Sequence, residues 1–70
     1  MNSVKLRTSM LENGKTMREI SQFMHISEQA FYNKLYGKTE FKSSEILKLT
    51  AFLNLSMEQV NEIFFDSMVN

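Results

Sequence analysis

Only three residues, His25-Ile26-Ser27, separate two stretches of helical apolar spacing, and that short gap constrains the fold more than any other feature. Before it Ile20, Phe23 and Met24 recur at helical intervals; after it Phe31 and Leu35 sit one turn apart. Two helices joined so closely must bend sharply and pack on one another. The bend needs a residue with positive φ, and His enters that region more readily than most non-glycine residues. Ile26 is the apolar residue that plugs the turn into the core. Ser21 is the small residue required where the two helices cross.

The rest of the chain is legible from cap chemistry. Ser3 is read as the cap of a first helix that runs to about Asn13, with Gly14 as its left-handed stop. Leu6 and Met10 face inward there, assisted by Val4 and Leu11. Thr16-Met17-Arg18-Glu19 is a capping box that opens the second helix, its hydroxyl and carboxylate each satisfying an unpaired backbone N–H. Ser27 caps the third helix, residues 28–36, and Gly37 ends it. A loop from Lys38 to Lys42, anchored by Phe41, leads to a fourth helix starting at Ser43 or Ser44. Its stripe is Ile46, Leu49, Thr50 and Leu53, and Asn54 closes it. Ser56-Met57-Glu58-Gln59 is a second capping box, opening a fifth helix with Met57, Val60 and Phe64 inward. The expected fold is one compact all-α domain over residues 1–70. With no Pro and two Gly in 70 residues, short turns between helices are the natural reading.

Composition narrows the chemistry. There is no Cys and one His, so neither a thiolate metal site nor a disulfide is available, and His25 is a turn residue rather than a ligand. No Gly-rich phosphate loop is present, and an enzyme is not expected. Neither a signal peptide nor a membrane-spanning run is visible, so a cytoplasmic protein without membrane partners is expected. The net charge is zero but polarised: residues 1–48 carry all eight bases against five acids, net +3, and residues 49–70 carry Glu58, Glu62 and Asp66 alone, net −3.

The outward face of the third helix carries the chemistry. At about 100° per residue, with Phe31 and Leu35 inward, the opposite face presents Gln29, Asn33 and Tyr36. Glu28 lies at the helix tip and Tyr32 flanks the apolar stripe. Gln and Asn can each pair with adenine through two hydrogen bonds, Glu can accept from a cytosine amino group, and Tyr can pack on a thymine methyl or a phosphate. Thr16 and Arg18 stand beside the N-terminus of the second helix, where free N–H groups and the helix dipole favour an anion. Lys34, Lys38, Thr39, Lys42 and Ser43 surround the far end of the third helix, where a second set of phosphate contacts is expected. Tyr36 belongs with that set.

The stretch T-M-R-E-I-S-Q-F-M-H-I-S-E-Q-A-F-Y-N-K-L-Y-G-K resembles the helix-turn-helix of the Cro and lambda-repressor family. The likeness continues through I-L-K-L-T-A-F-L-N-L-S-M-E-Q-V, and T-E-F-K-S-S-E-I is similar to small phage-type regulators. The resemblance implies a five-helix lambda-repressor-like domain with its helix-turn-helix at residues 17–36. It implies base reading by the first, second and sixth residues of the recognition helix, here Glu28, Gln29 and Asn33. Four positions depart from the pattern. Met17 stands where the family often has a phosphate-binding Gln, His25 replaces Gly, and Ser21 replaces Ala. Met10 and Leu35 stand where many members pair an Arg with a Glu.

The function expected is a sequence-specific transcriptional regulator that reads the major groove of double-stranded DNA. Binding is expected as a homodimer on half-sites about one DNA turn apart, with neither cofactor nor small-molecule ligand. Phe65 and Val69 are expected to project from the fifth helix, with Met68 at the margin, as a candidate dimer surface. The alternative is a protein-interaction module on the same fold, such as an antirepressor or assembly partner.

Overall fold

The structure, a computed structural model, describes residues 1–65. Five α-helices follow in order: α1 (Ser3–Glu12), α2 (Met17–Met24), α3 (Glu28–Leu35), α4 (Ser43–Phe52) and α5 (Met57–Phe64), with no strand among the described residues. No helix is long and apolar enough to cross a membrane.

Local chemistry sets every boundary. The Asn2 side chain, rather than Ser3, caps α1 by accepting from the Lys5 amide at 3.1 Å. Ser3 is already helical, and its hydroxyl donates to the Leu35 carbonyl at 2.6 Å, tying α1 to the end of α3. Both expected capping boxes form, Thr16 with Glu19 and Ser56 with Gln59. α4 begins at Ser43 with Lys42 in the cap position. A lysine side chain has no acceptor, so only the reciprocal half of the box exists there: the Lys42 amide donates to Glu45 at 2.8 Å.

The first four helices end in the same way. Gly14, His25, Gly37 and Asn54 each take a positive φ, between 53° and 82°. At each, the amide one residue further on reaches back to a helix carbonyl: Lys15 to Met10, Ile26 to Ser21, Lys38 to Asn33 and Leu55 to Thr50. These are left-handed stops that satisfy carbonyls a helix end would otherwise leave open. α3 therefore stops at Leu35, and Tyr36, expected as its last residue, is its C-cap.

The core is built from every helix: Leu6 and Met10, Ile20 and Met24, Phe31 and Leu35, Leu49 and Leu53, then Leu55, Val60, Ile63 and Phe64. α2 packs on α3 and α4, and α1 on α5. The Asn2 amide donates to the Ile63 carbonyl at 2.7 Å, so the start of α1 is fastened to the end of α5. Four residues expected inward are not. Val4, Leu11 and Met57 are 61%, 81% and 76% exposed, and Phe23 is half out of the core, stacked on Phe52 at 4.2 Å. The inward positions they were assigned fall instead to Ser9 in α1 and to Ile63 in α5.

Candidate nucleic-acid interface

The α2–α3 pair is held from inside by Ile20, Met24, Phe31 and Leu35, with Ile26 partly buried in the turn between them. Ser21 is buried, and its hydroxyl is satisfied within its own helix by the Arg18 carbonyl at 2.9 Å. His25 supplies the bend at φ 59°. The apolar side of α3 is thereby fixed, which fixes its polar side as well.

On that polar side Glu28 and Gln29 are exposed and Asn33 is half-buried. The Gln29 amide nitrogen donates to the Asn33 amide oxygen at 3.0 Å. One turn apart, the two amides act as a linked pair whose remaining groups are the Gln29 carbonyl oxygen, its second N–H and the Asn33 amino group. Tyr32 and the C-cap residue Tyr36, both exposed, form a second i, i+4 pair, with ring centroids 4.7 Å apart. The Arg7 guanidinium of α1 lies 5.7 Å from the centre of the Tyr36 ring. Residues 7 and 36 are brought together by the docking of α1 against the end of α3, and no local sequence pattern links them.

Apart from Tyr36, which packs with Tyr32 and Arg7, the expected phosphate-binding residues divide into two groups. Arg18, Lys38, Thr39, Lys42 and Ser43 are exposed around the two ends of the α2–α3 pair. Lys34 and Thr16 are engaged internally. The Lys34 side chain is only 13% exposed; its ammonium sits 3.2 Å from Glu45 Oε1 and 3.2 Å from the Glu40 carbonyl. Burial works against ionisation of Glu45, but the Lys42 amide and the Lys34 ammonium outweigh it and hold its carboxyl below the usual range. At the start of α2, the Glu19 carboxylate accepts from both the Thr16 amide and the Thr16 hydroxyl. Those bonds, the amide first, hold Glu19 below the ordinary carboxylate range. An ionised carboxylate of the chain itself thus stands at the helix end where a phosphate was expected.

Phe65 is 38% exposed beside a cleft of about 430 Å³ at the C-terminal end of α3, which Lys34, Thr39 and Glu40 line together with Met1, Phe41, Ile46 and Phe64. Met68 and Val69, the other two residues assigned to a dimer surface, lie outside the described residues. No group of three or more His, Cys, Asp or Glu side chains is placed to hold a metal among the described residues.

These features define a small protein whose described residues form five helices, with two consecutive helices joined by a three-residue turn and an amide-bearing outer face. The chain belongs to the family described as protein of unknown function (DUF739), which it matches over residues 2–67. No curated protein and no solved structure matches it.

Proposed function

We propose that the protein is a Cro-like transcriptional regulator that binds double-stranded DNA sequence-specifically, with α2, the turn and α3 as its helix-turn-helix. The observation that carries this reading is the Gln29–Asn33 amide pair. It stands on the face of α3 opposite Phe31 and Leu35, where one hydrogen bond links the two amides. Restricting two flexible side chains beforehand lowers the ordering cost of recognition. Glu28 and Tyr32 border the pair, while Arg18, Lys38 and Lys42 supply charge for the flanking backbone. Two copies bind a two-fold operator, with the exposed Phe65 at the contact between copies.

Selection from a random duplex pool with the purified protein tests the reading, followed by Gln29→Ala and Asn33→Ala together. A recovered consensus with half-site symmetry is expected, and the double variant loses the preference while melting like the wild type. Failure to enrich any sequence overturns the reading.

A second reading, a protein-interaction module on the same fold, draws support from two observations. Glu45 neutralises Lys34, and Glu19 occupies the α2 N-terminus, which together thin the positive charge around α3. Binding of another protein through the α2–α3 face, with no DNA enrichment, would favour it.

A further inference from the structure

We infer that Arg7 of α1 contacts a nucleic-acid phosphate, so that α1 forms part of the same interface as α3; this inference rests on the DNA-binding reading. Three observations carry it. First, the guanidinium lies 5.7 Å from the Tyr36 ring centre, on the exposed tyrosine pair that borders the Gln29–Asn33 amides. Second, that placement is anchored independently. Ser3, one turn before Arg7 on α1, donates its hydroxyl to the Leu35 carbonyl at 2.6 Å, which pins this side of α1 to the end of α3. Third, Arg7 has no carboxylate within ion-pair distance among the described residues, unlike Lys34, which faces Glu45.

The chemistry suits the role. A guanidinium held over an aromatic ring keeps its N–H donors at its edge, and that planar fork matches two oxygens of one phosphate. The ring also limits the conformations the long side chain must give up on contact. Arg7 supplies, from a different helix, the positive charge that Lys34 directs inward at the end of α3.

The test is a salt titration of binding to a random-sequence duplex of about 20 base pairs, followed by fluorescence anisotropy, because a phosphate contact is blind to sequence. Arg7→Ala is expected to weaken binding about 3–10-fold and to lower the slope of log affinity against log salt by about 0.9, the value for one lost phosphate contact. Arg7→Lys restores the slope, because the slope follows charge, but only part of the affinity. Thermal melting of both variants stays close to that of the wild type, as Arg7 is exposed. An Arg7→Ala slope equal to the wild type's, or a reduced slope that Arg7→Lys fails to restore, overturns this inference and leaves the DNA-binding reading standing. Wild-type protein that binds neither this duplex nor any selected sequence overturns both.

Discussion

Lys34 and Glu45 form an ion pair at 3.2 Å that fastens the last turn of α3 to the first turn of α4. Both side chains are largely out of water, at 13% and 14% exposure. Lys34 therefore belongs to the scaffold of the domain, although its sequence position places it among the bases around the outward helix.

Replacing Lys34 with Met separates the two roles. Glu45 would lose a charged partner in a partly buried setting, and stability should fall by about 1–2 kcal/mol in urea unfolding. The salt dependence of duplex binding should stay that of the wild type. Lys38→Ala with Lys42→Ala should do the opposite, preserving stability while weakening all duplexes alike and reducing the salt slope by roughly 1.8.

Glu45 also makes stability depend on pH. Its folded-state carboxyl titrates below the ordinary value of 4.5, so its contribution is complete above that value and disappears as the pH falls through the lower, folded-state value. The difference in Tm between wild type and Glu45→Gln should be constant above pH ~5.5 and shrink as the pH falls below that range. A difference that widens on acidification would contradict the assignment.

His25 occupies a left-handed conformation at φ 59°. An L-residue there carries a steric cost of about 1–2 kcal/mol that glycine avoids, set against glycine's larger loss of backbone freedom on folding. His25→Gly should therefore stabilise by about 0.5–1 kcal/mol, and His25→Val, β-branched at the same φ, should destabilise by more than ~1 kcal/mol. Chemical denaturation of the two variants measures both.

Phe31 is fully buried and faces Phe41 edge-on at 6.1 Å between ring centres. Phe31→Ala should cost about 3–5 kcal/mol through lost burial and the cavity left behind. A 70-residue domain holds only roughly 4–10 kcal/mol in total, so far-UV circular dichroism should record a large loss of helix at room temperature. Leu11→Ser, at a position 81% exposed, should leave the melt within ~0.5 kcal/mol of the wild type.

What was legible in the sequence was local. The Thr16–Glu19 and Ser56–Gln59 boxes, the bend at His25 and the stops at Gly14, Gly37 and Asn54 depend on neighbours within a few residues, and each formed as read. Apolar facing was less legible. In α5, Met57-Val60-Phe64 and Val60-Ile63-Phe64 satisfy helical spacing equally, and only packing against α1 decides for Ile63. Apolar character alone places Val4 and Leu11 beside the inward Leu6 and Met10, yet a small domain has too little interior to take every apolar side chain. Contacts between distant segments were not legible. Nothing local to Lys34 points to Glu45, and nothing local to Arg7 points to Tyr36.

The bond between the Asn2 amide and the Ile63 carbonyl has a practical consequence. Residues 2 and 63 meet, so a handful of added residues joining residue 65 back to residue 1 would close the described segment into a ring without reshaping either terminal helix. A ring has fewer unfolded conformations to lose. The rise in Tm on cyclisation would then measure how strongly chain entropy opposes folding in a domain this small.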